Sequence, residues 1–214
     1  MLYAKMMIPY VNLKKQYLDE RKVLLPIIDK ILQSGEYVGG REIEKFEKKI
    51  ANFLNVKFCA ALNSGTDALL LGIHSLGIKR DDEVITTPNS YIASTSTIAH
   101  VGAKPVFVDV LEDQNINPDL IENAITKKTK AIMAVHLTGR SCKMDKIIEL
   151  SKKYNIPIIE DAAQSIGTKY KNKLTGTFGK IGCFSTHPLK NLNALGDGGF
   201  LVTNSKSIYG KVKL

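Results

Sequence analysis

Long apolar runs are what this 214-residue sequence lacks most plainly. None approaches the ~20 residues needed to cross a bilayer, so no membrane helix is expected. The first ten residues also lack a long apolar stretch followed by a small-residue cleavage site, and a secretory leader is not expected. Cysteine is scarce: Cys59, Cys142 and Cys183 are odd in number, far apart, and form no CxxC or metal-ligand pattern with the four histidines. Cys59 and Cys183 lie inside apolar runs and read as small core residues, which suits a reducing cytoplasm. Acidic residues are fewer than basic ones, 21 against 30, giving a net charge of +9. The excess is scattered. Lys127, Lys128 and Lys130, and again Lys169, Lys171 and Lys173, fall between apolar runs and read as solvated turns. No nucleic-acid motif accompanies them, so an anionic small substrate is the milder inference. Internal repeats, low-complexity tracts and Pro/Gly/Ser-rich linkers are absent as well.

What is present is alternation. Short runs rich in Val, Ile and Ala recur at residues 57–62, 83–87, 105–110, 131–137, 156–160, 181–186 and 199–203. They are continuously apolar, as strands covered on both faces must be. Helical patterns separate them at 42–54, 67–76, 93–101, 118–124 and 144–154. The second of these is nearly all apolar and should be deeply buried. Asp119 and Asp145 stand near helix starts, where carboxylates suit the dipole. This order implies an α/β fold with a mostly parallel seven-stranded sheet sandwiched by helices. Residues 12–34 read as a helix kinked or interrupted at Pro26, so residues 1–35 form an arm before an α/β domain at 36–214.

Open α/β sheets bind ligands beyond the carboxyl ends of their strands. Three such ends carry chemistry here. After the first strand, Asn63-Ser64-Gly65-Thr66-Asp67 leads straight into a helix. Such a turn either gathers N–H groups around an anion or simply caps the helix. Its glycine spacing matches neither a Walker nor a dinucleotide motif. After the fifth strand comes Asp161-Ala162-Ala163-Gln164. Asp161 could cap a turn, pair with a cation or bind a metal. A metal is disfavoured, because the neighbouring Glu160 should point to the opposite face of the strand. After the sixth strand, His187-Pro188-Leu189-Lys190-Asn191-Leu192-Asn193 runs into Gly196-Asp197-Gly198-Gly199. A lysine set among apolar residues and glycines is a candidate neutral amine, nucleophilic toward an aldehyde. An anion turn, a strand-end carboxylate and such a lysine are together the parts of a pyridoxal 5′-phosphate (PLP) site. One anchors the phosphate, one keeps the ring nitrogen protonated, and one holds the aldehyde as an imine.

Residues 184–192 with Gly196-Asp197-Gly198-Gly199 resemble the lysine signature of the DegT/DnrJ/EryC1/StrS family of PLP-dependent nucleotide-sugar aminotransferases. The resemblance extends over nearly the whole chain. It takes in residues 8–13, Ser34-Gly35, Gly39-Gly40, Phe46-Glu47, the turn after the first strand, and Thr87-Pro88 with Tyr91-Ile92-Ala93. It continues through residues 105–109, Val135-His136-Leu137 and Glu160-Asp161-Ala162-Ala163-Gln164. It implies the large domain of fold type I, the aspartate aminotransferase architecture. It also implies a role for each matched residue. Lys190 would hold the cofactor as an imine and later shuttle a proton. Asp161 would pair with the pyridinium nitrogen and Gln164 would contact the ring hydroxyl. Gly65, Thr66 and Ser185 would hold the phosphate, with the Asp67 N–H assisting. Tyr91 would stack on the ring, unless it is a core aromatic. His187 would line the substrate pocket, unless it is a hydrogen-bonded loop residue.

The implied activity moves an amino group from an amino acid, typically L-glutamate, to a nucleotide-linked keto-sugar in amino-sugar or polysaccharide biosynthesis. The implied assembly is a homodimer with the site at the subunit interface. The Gly-Asp-Gly-Gly ending looks more like members acting on 3-keto sugars. Lys190 argues against the dehydratase branch, in which histidine replaces this lysine. There are departures too: Thr138 stands where an aromatic is common, Arg140 where a glutamine is, and Lys180 where a smaller or acidic residue is. Family members continue past the position of Leu214 into a small C-terminal domain, so a PLP-binding chain without catalysis is the alternative expectation.

Overall fold

The computed structural model describes residues 9–214, so Ile8 of the first matched stretch, and most of the ten residues expected to hold no secretory leader, lie outside the described residues. Two compact units are distinguished, one ending at Glu44 and one comprising Lys45–Leu214. In the first, helix α1 (Leu13–Ser34) starts at Asn12, whose side chain accepts the Lys15 N–H, and ends at left-handed Gly35. Pro26 lies inside α1 and does not interrupt it as the sequence suggested. Proline removes one hydrogen bond there, and the helical residues on either side of it carry the rest of the ladder. No residue of α1 is buried. Helix α2 (Gly40–Leu54) leads into the second unit.

That unit holds a seven-stranded sheet. In chain order its elements are β1 (Phe58–Leu62), α3 (Gly65–Ser75), β2 (Glu83–Thr86), α4 (Ala93–His100), β3 (Lys104–Phe107), α5 (Pro118–Ala124) and β4 (Thr129–Val135). There follow α6 (Met144–Tyr154), β5 (Ile158–Asp161), β6 (Lys169–Tyr170), β7 (Lys173–Leu174), β8 (Ile181–Ser185), β9 (Gly199–Thr203) and α7 (Lys206–Val212). The sheet order is β1-β9-β8-β5-β4-β2-β3. All neighbours are parallel except those of β9, which is antiparallel to both β1 and β8.

The continuous apolar runs follow from cover on both faces. Ala131, Met133 and Ile159 join α3, α4 and α7 residues in one cluster, while Ile132, Ala134 and Ile158 join α5 and α6 residues in another. Successive side chains thus enter opposite cores. A third cluster packs Ile50, Ala51 and Leu54 of α2 against Phe184, Phe200 and Val202. All three cysteines are free and buried. Lys127, Lys128 and Lys130 are exposed, as expected of a solvated turn.

A hairpin and a helix escaped the sequence reading. The second lysine cluster lies on the β6–β7 hairpin, whose two-residue turn holds Lys171 and Asn172 at positive φ. The turn has the backbone of a tight hairpin without the Asn-Gly or Asp-Gly pair that usually announces one. Helix α7 is short, and its only signals are the Ser205 cap and Ile208 with Val212 four residues on. Among the described residues no helix is long and apolar enough to cross a membrane.

Candidate active site

Because only β9 runs against the others, the carboxyl ends of β1, β8 and β5 open on one edge of the sheet, where β9 begins. The turn after β1 caps the helix that follows it. Ser64 is extended, and its Oγ accepts the Asp67 N–H at 3.0 Å. That N–H thus serves the helix cap. The N–H groups of Gly65 and Thr66 have no acceptor among the described residues. They stand at the positive end of α3. The Asp67 carboxylate is held by Asn63 Nδ2 at 2.8 Å.

Close packing fixes this turn. A Cβ on Gly65 would lie 2.8 Å from Ser185 Cβ, and one on Gly199 would lie 2.4 Å from the Ser64 carbonyl carbon. Ser185 is thus pressed against Gly65 at the end of β8. Its Oγ accepts the His187 N–H at 3.2 Å, which leaves its hydroxyl proton for another acceptor.

Asp161 ends β5 and is 7 % exposed. Its Oδ2 accepts the Ser94 hydroxyl at 2.7 Å, and its Oδ1 accepts the Ala163 N–H at 3.2 Å. A carboxylate has about four acceptor positions, so it keeps capacity for one more donor. Among the described residues no metal-binding cluster is found. Gln164 accepts the Thr138 N–H on Oε1 at 2.8 Å, which assigns the amide and leaves its NH2 as the free donor. Thr138 supports this contact from a left-handed conformation (φ 54°, ψ 24°), an uncommon one for a β-branched residue.

Glu160 points away from Asp161, as its place in a strand requires. It is fully buried with His136, and their Oε2 and Nε2 are 2.9 Å apart. Glu160 also accepts the N–H groups of Gly176 at 2.7 Å and Gly179 at 2.6 Å. His136 Nδ1 accepts the Cys142 N–H at 3.1 Å, which puts the ring proton on Nε2, facing Glu160. Burial disfavours an imidazolium, whereas Cys142 and Glu160 favour one. A second proton would have to occupy Nδ1, which the Cys142 N–H already fills. Burial, reinforced by Asp161 and Glu160, pushes the Cys183 thiol well above its usual range. Burial pushes the Cys59 thiol up to about 12, with Glu47 adding to it. Both are packing residues rather than nucleophiles.

Lys190 is half-buried in the loop between β8 and β9, and its N–H bonds the His187 carbonyl at 2.8 Å. Its ammonium has no hydrogen-bond or ion-pair partner among the described residues. His187 is exposed, and its Nδ1 accepts the Leu189 N–H at 3.2 Å, a loop-stabilising bond that leaves Nε2 available. Tyr91 is 72 % exposed just before α4, and is not a core aromatic. The Ser94 N–H bonds its carbonyl at 3.2 Å, which ties it to Asp161 through one residue.

Two unpaired N–H groups with a serine hydroxyl, a carboxylate with spare acceptor capacity, and an unpartnered amine are a donor set that fits PLP. Sequence reasoning did not single out Ser94, Ser90 or the support given by His136 and Glu160. A serine in a helix carries no pattern of its own. Only the fold brings residue 94 to residue 161.

Known proteins extend the picture. Residues 19–214 match the DegT/DnrJ/EryC1/StrS aminotransferase family. The chain is 40% identical over 203 residues to the UDP-2-acetamido-2-deoxy-3-oxo-D-glucuronate aminotransferase of Pseudomonas aeruginosa, covering 94% of this chain and 56% of that one. Its fold matches the crystal structure of DesV from S. venezuelae, solved with a ketimine intermediate, at a TM-score of 0.93 and 38% identity. That match covers 96% of this chain and 56% of the other. The crystal structure of NtdA from Bacillus subtilis, with bound cofactor PMP, matches at a TM-score of 0.89 and 32% identity, over 96% of this chain and 47% of that one. The chain spans about half the length of the curated relatives it matches. By sequence and by fold, it belongs to the DegT/DnrJ/EryC1/StrS aminotransferase family.

Proposed function

We propose that this chain is the cofactor-binding part of a PLP-dependent nucleotide-sugar aminotransferase. The observation that carries the reading is the meeting at one sheet edge of the 63–67 turn, Asp161 and the Lys190 loop. Gly65 and Thr66 N–H groups and the Ser185 hydroxyl would hold the phosphate. Asp161 would accept the ring N–H, Gln164 would donate its NH2 to the ring oxygen, and exposed Tyr91 would cover one ring face. When bound, PLP supplies an electron sink that carries an amino group from donor to acceptor. Lys190 supplies the amine that holds the cofactor. Lys190 would also be the general base and acid that moves the proton at the reacting carbon of the substrate.

The amino donor in this reading is an amino acid such as L-glutamate, and the acceptor is a nucleotide-linked keto-sugar. A 3-keto sugar is favoured by the Gly196-Asp197-Gly198-Gly199 ending and by the 3-oxo substrate in the name of the P. aeruginosa relative. His187, with Nε2 free, would face that substrate. The three buried free thiols suit work in the reducing cytoplasm. A second copy of the chain would cover the exposed apolar residues of this region: Tyr91, Ile92, Leu189 and Leu195. The test is covalent capture. Borohydride added to the protein with PLP should fix the cofactor to Lys190, read as a mass increase on its peptide. Lys190→Ala should show none, and a label spread over surface lysines with equal yield would sink the proposal.

A further inference from the structure

Asp161 has a partner that the cofactor reading does not use. Ser94 Oγ lies 2.7 Å from Asp161 Oδ2 and 2.7 Å from Ser90 Oγ. A hydroxyl has one proton to give, and an ionised carboxylate has none. The order of donors is therefore fixed: Ser90 donates to Ser94, and Ser94 donates to Asp161. Each bond polarises the next, and the last is charge-assisted. Ser94 is fully buried, so it is screened from solvent. Through its backbone N–H it also holds the Tyr91 carbonyl at 3.2 Å. One side chain thus joins the carboxylate meant for the ring nitrogen to the residue meant for the ring face.

We propose that Ser94 is a positioning residue for the ring nitrogen: backed by Ser90, it sets the plane of the Asp161 carboxylate and keeps its remaining lone pair aimed at the pyridinium. A carboxylate at the end of a strand otherwise has a free rotation about its last bond. Here Ser94 pins Oδ2 and Ala163 pins Oδ1. The inference rests on the reading of Asp161 as the partner of the ring nitrogen, and its test separates the two.

The test uses PLP and an analogue in which the ring nitrogen is replaced by C–H. Affinities are measured for wild-type protein, Ser94→Ala, Ser94→Thr and Ser90→Ala. Wild-type protein should prefer PLP to the analogue. Ser94→Ala should weaken PLP roughly ten-fold, the scale of one lost charge-assisted bond, and leave the analogue nearly unchanged. Ser94→Thr keeps the hydroxyl and should restore the preference, and Ser90→Ala should lose a smaller part of it. A ring-15N signal of bound PLP should move with Ser94→Ala and return with Ser94→Thr. If Ser94→Ala weakens PLP and the analogue equally, the hydroxyl only supports the fold and the proposal is overturned. If wild-type protein shows no preference, the pairing of Asp161 with the ring nitrogen fails first, and the proposal with it.

Discussion

Gly65 shows how much a single hydrogen atom can decide. A methyl group there would stand 2.8 Å from Ser185 Cβ and 3.2 Å from its Cα, with backbone on the next side. Something must move, and the groups in the way are the two sides of the proposed phosphate cradle. Gly65→Ala should cost about 1–3 kcal/mol in stability, as overpacking does. It should also lower PLP affinity at least ten-fold, measured by titration against wild type. Loss of stability with unchanged affinity would place the phosphate elsewhere. At this scale the sequence told a good deal. The glycine, the carboxylate and the lysine were each legible because each follows an apolar run. The commitment of the Asp67 N–H to Ser64 was not, since the same turn can cap a helix, bind an anion, or do both.

At the scale of elements, Glu160 is the tie between pieces far apart in sequence. Its carboxylate takes two backbone N–H groups from the 176–179 loop and the Nε2 proton of His136. His136 in turn receives the Cys142 N–H, and Asn115 clamps the same region by accepting the Leu137 N–H and donating to the Arg140 carbonyl. Glu160→Gln keeps the shape but replaces one acceptor oxygen by an NH2 facing other donors. Two donors would then oppose each other in a dry site, at a cost of about 3 kcal/mol. Urea denaturation of the cofactor-free protein should show it, and a midpoint equal to wild type would contradict the network. The seven strands of the main sheet and helices α1–α6 were readable because cover on both faces leaves continuous apolar runs and helical cover leaves periodic ones. The β6–β7 hairpin was not, because its turn residues are Lys171 and Asn172, and a pair of lysine-rich dipeptides looks like a solvated loop.

For the molecule as a whole, uncovered apolar surface is the feature that most needs explaining. Helix α1 buries none of its residues, and Val23, Leu25, Ile27 and Leu32 are each about half exposed or more. Near the candidate site Tyr91, Ile92 and Leu195 are each more than half exposed. Exposed apolar residues in such number are expected to be covered by association. Light scattering at micromolar concentration should give twice the mass of the 23.6 kDa chain. Val23→Glu with Leu25→Lys should move that mass toward the single chain, whereas a wild-type mass of one chain would remove the expected dimer. The partner itself could not be read from sequence. Periodicity reports which face of a helix is apolar, not whose surface covers it.

The reversed strand β9 has a consequence in time as well as in space. It lies between β1 and β8, so β1 has no neighbour in the sheet until residues 199–203 arrive. The five other strands can assemble in parallel as they emerge from the ribosome, but the first strand made must wait for the last. Gly199, which presses on the Ser64–Gly65 link, comes with that final strand. The 63–67 turn is therefore among the latest parts of the chain to take shape, long after its own residues have been synthesised.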